Sequence, residues 1–422
     1  MGKAERRFWD FIIRHRLKML VLVSTLIAAY SRFAWRGFIT GDMEWFLLPW
    51  YNAIDTYGRL KALSLQIGDY QISYQTLIAL MTYLPIHPVY AYKALSMLFD
   101  FLLGAAVAAC VYETSRSSFR AALSYALTVN LPTVVLNSAA WGQCDSIFTF
   151  FLVMTFLFLL KEKYIPAFVF YGLAFSFKLQ AVFLLPFLLF HYVRSRKFSI
   201  LCFLLIPGTM ITASLGGILQ GRSILAPFSI YLDQAKHYGR ISLNYPSFWN
   251  LIVLNNAEDG LDHYTELHPL CLGVTVLLLA ALMIWLIRKK KTDSTQLLLT
   301  ATLMMYTCIF FLPSMHERYA YPLLIFAVMV CMLSPGVIPV TLGLVIIDMQ
   351  IYGLYLFKIE TLPWETLTLI NLAGYAFLCY LTGKAVERPG PEPADSRDIT
   401  KDWAGSGKKP SDASGRKVCF PK

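Results

Sequence analysis

Few residues of this chain carry charge. Only 15% of its 422 residues are Asp, Glu, Lys or Arg, whereas 57% are hydrophobic. Soluble domains have about 25% charged and about 45–50% apolar residues, so the shortage excludes an ordinary soluble protein. Mean hydropathy is +0.55, which makes lipid the expected solvent for most of the chain.

Signatures of metal and nucleotide sites are also missing from the sequence. The eight cysteines are scattered, without a CxxC pair or a Cys/His spacing typical of zinc. There is no glycine-rich nucleotide loop and no internal repeat. We therefore expect neither a bound metal ion nor an organic cofactor.

A net charge of +11 raises the question of nucleic acid as a partner. The basic residues, however, lie in short clusters between apolar runs and not along one soluble face. They fit better as topology signals beside anionic lipid, each worth about 1 kcal/mol near the surface. Membrane lipid is therefore an expected partner, and nucleic acid is not.

The apolar runs predict an all-α, polytopic membrane bundle of about 12 transmembrane helices. A span needs about 20 mostly apolar residues, and several of the runs are shorter than that. The runs are 17–35, 89–111, 121–139, 145–160, 165–180, 181–193, 198–218, 269–287, 295–312, 319–333, 337–356 and 366–383.

The connectors between these runs alternate between rich and poor in Lys and Arg. By the positive-inside rule the basic connectors are cytoplasmic, and both termini are then expected inside. The opposite face receives 37–88, 141–145, 222–268 and 313–319. The basic connectors are 3–18, 116–120, 161–163, 194–197, 288–291 and 384–388.

Two composition shifts complete the predicted organisation. Residues 43–62 and 73–87 mix aromatic and polar residues, which is typical of amphipathic helices lying in the extracytoplasmic interface. Residues 385–422 turn to Pro, Gly, Ser and mixed charge, which predicts a disordered cytoplasmic tail. Residues 1–384 form the expected membrane domain.

The first chemical candidate is Gly41-Asp42-Met43-Glu44-Trp45, directly after the first run. An acid between lipid and outside water could take a proton from an incoming hydroxyl group. General-base catalysis contributes roughly 10²–10⁴-fold to a rate. The alternative interpretation is a solvated loop acid that helps a helix to begin.

The second candidate is Trp141-Gly142-Gln143-Cys144-Asp145-Ser146, at an outer turn. Gln143 and Asp145 have the side chains that hold sugar hydroxyls. Asp145 could equally cap the following helix, and Trp141 suits a membrane interface.

The third candidate, Met315-His316-Glu317-Arg318-Tyr319, stands where a helix begins. The fork of Arg318 matches phosphate oxygens, His316 adds a donor, and a helix N-terminus favours an anion. An Arg–Glu pair with lipid headgroup contacts is the alternative. Zinc is disfavoured because the second His of an HExxH helix is missing.

Other polar residues have two interpretations each. Lys178, close to Gln180 at an outer helix end, could meet a phosphate or extend to water. The stretch from Asn244 to Asn250 could stack sugars or form an interfacial aromatic belt. Asp100 and Asp348 lie inside spans, where a charge costs about 2.5–3.5 kcal/mol, so we expect them to face the bundle interior. They could be structural partners of Lys178 or of another polar residue.

Most of these motifs fall on one predicted face, whereas a transporter places its polar groups near the midplane. In the order GD-x-E, KALSMLFD, WGQ-x-DSI, FKLQ and MHERYAYP, the sequence resembles the GT-C glycosyltransferases over about 40–330. The nearest branch is similar to the GPI-anchor mannosyltransferases and the dolichyl-phosphate-mannose- or glucose-dependent transferases.

The resemblance implies an inverting transfer of one hexose, with mannose favoured, from a polyprenyl-phosphate sugar to an extracytoplasmic glycan or lipid-linked acceptor. Asp42 would be the base and Glu44 a possible second acid. Arg318 and His316, with Lys178, would hold the departing phosphate. The other expected substrate-binding residues are Gln143, Asp145, Gln180, Asn244, Glu317 and Tyr319.

Two other functions stay open on the sequence alone. A glycan ligase or polymerase would move a whole lipid-linked chain, so its product would be larger. A flippase or transporter would move a lipid-linked glycan without making a glycosidic bond. The expected location is a bacterial cytoplasmic membrane with the site on its outer face, or the ER membrane with a lumenal site.

Overall fold

A computed structural model describes residues 2–234, 239–257, 263–288, 293–360 and 362–387. Throughout these ranges the fold is helical and holds no β-strand beyond one isolated bridge between Ser242 and Met315. The helices are α1 (Lys3–Trp35), α2 (Leu48–Thr56), α3 (Ile72–Met81), α4 (Pro88–Ser115), α5 (Ser118–Asn130), α6 (Pro132–Val135), α7 (Asp145–Leu160), α8 (Tyr164–Phe175), α9 (Leu185–Ser195), α10 (Leu205–Ala213), α11 (Leu215–Ile218), α12 (Ala226–Gln234), α13 (Tyr264–Ile287), α14 (Ser294–Phe311), α15 (Tyr321–Leu333), α16 (Ile338–Phe357) and α17 (Trp364–Glu387).

Shorter helical turns join several of these helices. Two are π-helical and the others are 3₁₀ turns. The π turns are Met43–Leu47 and Leu136–Trp141, and the 3₁₀ turns are Arg59–Ser64, Leu179–Leu184, Ile200–Leu204, Phe248–Leu251 and Pro335–Val337.

The prediction of a polytopic helical bundle is confirmed, and each predicted apolar run coincides with helical structure. The number of full-length spans is smaller than predicted. Within the described ranges, six helices are long and apolar enough to cross a membrane, or seven if the bent unit formed by α5, α6 and their π turn counts as one span. Helices such as α8 and α10 are too short to cross alone.

Proline explains the bend in the third predicted run. Leu131 adopts an extended conformation before Pro132, as residues before proline commonly do, so the helix stops and restarts with a bend of 49°. The second part ends in the π turn Leu136–Trp141, which carries Trp141 to the outer turn predicted from the sequence.

The core of the bundle is built around α14 and α15. Both helices are buried along nearly their whole length, and α15 packs against α4, α5, α7, α14 and α16. Protein, and not lipid, therefore surrounds α15. The helix begins at Tyr321, shortly after the His316–Tyr319 motif, so a helix buried along nearly its whole length supports that motif.

A buried ion pair joins α1 to α4. Arg32 Nε and Nη2 each lie 2.8 Å from Asp100 Oδ2, and both side chains are at most 2% exposed. Arg32 Nη1 also donates to the carbonyl oxygens of Ala28 and Val129, at 3.0 and 2.9 Å. Asp100 thus has a structural partner, but that partner is Arg32 and not Lys178.

The segments predicted to form interfacial helices are helical. Residues 43–62 contain the π turn Met43–Leu47, α2 and most of a 3₁₀ turn, and residues 73–87 contain most of α3. Met43 and Leu47 are buried, whereas Trp45 and Phe46 are exposed. At the other end of the chain, α17 continues to Glu387, and the rest of the predicted tail, 388–422, lies outside the described residues.

Asp100→Asn should destabilise the purified protein by about 3–5 kcal/mol, because Arg32 is left as a buried charge without its counter-ion. Asp55→Asn, which removes the exposed partner of Arg59, should cost about 1 kcal/mol or less. Thermal unfolding midpoints in one detergent compare the two variants. Equal shifts would contradict a special role for the buried pair.

Candidate active site

The carboxylate of Asp42 is held on one side only. Its Oδ2 accepts hydrogen bonds from Trp141 Nε1 at 2.9 Å and from Gln143 Nε2 at 3.0 Å. Arg318 Nη2 lies 3.6 Å from the same oxygen. The side chain is 33% exposed, and within the described part of the chain Oδ1 has no hydrogen-bond partner. In that part of the chain, one oxygen of this partly exposed carboxylate is therefore uncommitted.

Glycine is required at the turn that brings these donors to Asp42. Gly142 has φ of +74°, a conformation that other residues rarely adopt. A Cβ atom there would also lie 2.5 Å from the terminal methyl of buried Met43. The motifs GDMEW and WGQ-x-DS therefore pack directly against each other, which the sequence alone did not reveal.

Asp145, the first residue of α7, is buried, and both of its carboxylate oxygens have partners. Lys178 Nζ lies 2.5 Å from its Oδ1, and Asn137 Nδ2 donates to its Oδ2 at 2.8 Å. Arg318 Nη1 approaches the same Oδ2 to 3.8 Å. Lys178 thus neither reaches Asp100 nor extends freely to water, because its ammonium group is paired with Asp145.

Arg318 lies between acids from three connectors. Besides Asp42 and Asp145 it contacts Glu317, with 3.4 Å between Nε and Oε1, and its guanidinium stacks 4.9 Å from the Trp141 ring centre. Burial alone lowers the pKa of Arg318, but the neighbouring carboxylates, Asp145 foremost, outweigh burial and raise it well above its ordinary value. Arg318 is therefore a permanent cation.

Glu317 and His316 complete the surroundings of Arg318. Glu317 Oε2 lies 3.3 Å from His316 Nδ1, and the His316 ring lies 5.1 Å from that of Tyr319. Burial favours a higher pKa for Glu317, but the hydrogen bond with His316 and the charge of Arg318 lower it to about 2. Glu317 therefore stays ionised and balances Arg318.

The contacts of Arg318 with Asp42 and Asp145 are ion pairs and not close hydrogen bonds, because 3.6 and 3.8 Å exceed hydrogen-bonding distance. The guanidinium thus retains donor capacity for a further anion. The carboxylates of Asp42, Asp145 and Glu317 thus face the guanidinium of Arg318 and the ammonium group of Lys178, and the His316 ring lies beside Glu317. No group of three His, Cys, Asp or Glu residues suited to a metal ion occurs in the described ranges.

The family of this chain is shown by the match of its residues 70–313 to the sequence model of glycosyltransferase family 87. The match covers more than half of the chain. The chain belongs to glycosyltransferase family 87. This is a GT-C-type family of membrane glycosyltransferases, so the resemblance to GT-C enzymes is confirmed. No curated protein sequence matches the chain.

The matched region of this family 87 glycosyltransferase covers only part of the polar cluster. It includes Gln143, Asp145 and Lys178, whereas Asp42 precedes it and Arg318 follows it. The contacts described above join all five residues at one end of the bundle. Residues before and after the matched region, Asp42 and Arg318, therefore complete the cluster that Gln143, Asp145 and Lys178 begin.

Three predicted site residues of the glycosyltransferase lie apart from the Arg318 contacts. Glu44 has an exposed side chain on the π turn Met43–Leu47, and Gln180 is half-buried in the 3₁₀ turn Leu179–Leu184. The side-chain oxygen of Asn244 accepts a hydrogen bond from Asn255 at 3.3 Å. Asn244 therefore organises its own loop.

The aromatic residues that follow Asn244 are used for packing. Tyr245 and Trp249 are at most 2% exposed, so they form neither an interfacial belt nor an open sugar-stacking surface. The Trp249 indole donates to the Phe311 carbonyl at 2.7 Å, and Asn371 donates to the Tyr245 hydroxyl at 3.2 Å. Buried Tyr and Trp side chains need such partners, and α14 and α17 supply them here.

Two residues of the site were not predicted. Asn137 orients Asp145 and also donates to the Tyr352 hydroxyl at 2.9 Å. An amide inside an apolar run was the available signal for Asn137. Tyr70 donates to Gln143 Oε1 at 2.9 Å. It lies between the segments 43–62 and 73–87, and no sequence signal pointed to it.

Glu317→Gln should destabilise the protein at pH 7, because the folded state lowers the pKa of Glu317 from 4.5 to about 2. The lowered pKa stabilises the fold fully above about pH 4.5, and this contribution fades as the pH falls toward 2. The difference in thermal midpoint between wild type and variant should therefore narrow between pH 4.5 and 2. A difference that stays constant over that interval would contradict the ion-pair assignment.

Proposed function

We propose that this family 87 glycosyltransferase is an inverting hexosyltransferase. It takes a single hexose, with mannose favoured, from a polyprenyl-phosphate sugar and adds it to an extracytoplasmic glycan or lipid-linked acceptor. The motif resemblance to polyprenyl-phosphate-dependent transferases supports the donor class. The lipid donor accounts for the lack of a nucleotide-binding loop in the sequence.

The proposal depends on one observation above all, the one-sided environment of Asp42. Three groups contact its Oδ2, whereas Oδ1 is left for an acceptor hydroxyl. An inverting transfer needs one base that removes a proton from the acceptor as the hydroxyl oxygen attacks the sugar. Asp42 is the carboxylate of the cluster that is exposed enough for this role, because Asp145 and Glu317 are nearly buried.

Arg318 and His316 are proposed to bind the phosphate that leaves with the lipid. Negative charge develops on the phosphate oxygens in the transition state, and cationic donors placed beforehand stabilise it. The long contacts of Arg318 with its acids leave it donors for those oxygens. Lys178 contributes positive charge from the opposite side of Asp145.

Gln143 and Asp145 are proposed to position other groups, because their own polar atoms are already engaged. Gln143 donates to Asp42 and accepts from Tyr70. Asp145 pairs with Lys178 and accepts from Asn137. Both residues were expected to contact the sugar directly. We propose instead that Gln143 holds the base Asp42, and that Asp145 holds the cations Lys178 and Arg318.

The basic connectors support a topology with both termini in the cytoplasm. Residues 1–384 are then the catalytic membrane domain and 385–422 a cytoplasmic tail. The Asp42 site would open to the outer face of a bacterial cytoplasmic membrane, where lipid-linked donors and acceptors meet.

Asp42→Asn should lower the rate of sugar transfer by roughly 10²–10⁴-fold, because the amide cannot accept the acceptor proton. The measurement uses membranes with their endogenous acceptors and radiolabelled polyprenyl-phosphate mannose, then polyprenyl-phosphate glucose. Glu44→Gln tests the other acid of the motif, and its exposed side chain predicts a rate near that of wild type.

Two results of that experiment would overturn the proposal. A full rate in Asp42→Asn together with loss in Glu44→Gln would move the base to Glu44. A product heavier by a block of sugars, and not by one hexose, would indicate a glycan ligase or polymerase.

A further inference from the structure

Hydrogen bonds join the connector between the 3₁₀ turn Arg59–Ser64 and α3 to residues 222–227. Arg222 Nη2 donates to Gln66 Oε1 at 2.6 Å, and Gln66 Nε2 donates to the carbonyl oxygens of Gly68 and Tyr70, at 2.7 and 3.0 Å. Gln71 Nε2 donates to the Pro227 carbonyl at 2.8 Å. The backbone on both sides of Tyr70 is thus fixed.

Packing fixes the Tyr70 ring as well. It meets Trp50 edge-on, with 5.4 Å between ring centroids, and Tyr74 at 4.6 Å. Gly68, with φ of +73°, lets the chain pass beneath Trp50, since a Cβ there would lie 2.4 Å from the indole. Burial raises the pKa of Tyr70 well above its ordinary value, so its hydroxyl remains a donor at working pH.

We propose that Tyr70 is a positioning residue whose hydroxyl holds the Gln143 amide in the orientation that donates to Asp42. The inference rests on the proposed role of Asp42 as base. The chain of contacts runs from the Tyr70 hydroxyl to Gln143 Oε1 at 2.9 Å, and from Gln143 Nε2 to Asp42 Oδ2 at 3.0 Å.

The effect of Tyr70 is expected on turnover and not on donor binding. Gln143 is 2% exposed, and without the tyrosine donor its carbonyl oxygen is left buried with one partner fewer. The amide can then turn away from Asp42, whose carboxylate gains freedom to rotate about its side-chain bond. Oδ1 is then less often aligned with the acceptor hydroxyl. Tyr70 donates to Gln143 and not to the proposed phosphate-binding groups, so donor binding should change less than turnover.

The test compares Tyr70→Phe with Tyr74→Phe in the labelled-sugar assay. Tyr70→Phe keeps the ring and should lower kcat roughly tenfold with an unchanged KM for polyprenyl-phosphate mannose, as expected for one lost hydrogen bond. Tyr74 is a matched control, because its ring contacts Tyr70 and its buried hydroxyl has no hydrogen-bond partner in the described part of the chain. Tyr74→Phe should retain the wild-type kcat.

A second comparison separates positioning from a general loss of structure. If Tyr70 acts through Gln143, Tyr70→Phe should cause little further loss in a Gln143→Leu background. An unchanged kcat in Tyr70→Phe, or the same tenfold loss in both backgrounds, would overturn the inference and leave Asp42 as base. A full rate in Asp42→Asn would instead overturn the base, and the Tyr70 inference with it.

Discussion

The candidate site depends on the charge of one half-buried guanidinium, that of Arg318. Arg318 lies within 4 Å of carboxylate oxygens of Asp42, Asp145 and Glu317. Arg318 is the one cation that contacts all three of these carboxylates, so it balances negative charge from three separate connectors. Its long contacts with Asp42 and Asp145 leave it able to receive a further anion. The proposed base and the proposed phosphate-binding groups therefore share one electrostatic centre.

The bundle supplies the rigidity that this centre needs. Arg318 stands just before α15, which is buried on all sides by other helices, so its backbone has little freedom. Asp42 stands just after α1, which the buried pair of Arg32 and Asp100 holds against α4. A membrane interior makes such a pair costly to separate, because lipid offers neither charge a substitute. Asp42 and Arg318 are thus held in place by different helices of the bundle.

Much of this arrangement was predictable from the sequence. Apolar runs and alternating basic connectors indicated a helical bundle, and the alternation grouped Asp42, Asp145, Lys178 and Arg318 on one face. Distances between these residues could not be predicted, since hydropathy says nothing about how helices pack. The number of full-length spans was overestimated, because a run such as 198–218 is divided into a 3₁₀ turn and two short helices. The charge of Arg32 inside the first run was an overlooked signal for the partner of Asp100.

If Asp42 and Arg318 act as one unit in sugar transfer, a double-mutant cycle on the transfer rate should reveal it. The rates of wild type, Asp42→Asn, Arg318→Gln and the double variant are measured with polyprenyl-phosphate mannose. Residues that work as a unit show strongly non-additive losses. The double variant should then be at least roughly tenfold faster than the product of the two single losses implies. A rate equal to that product would contradict the joint action of Asp42 and Arg318.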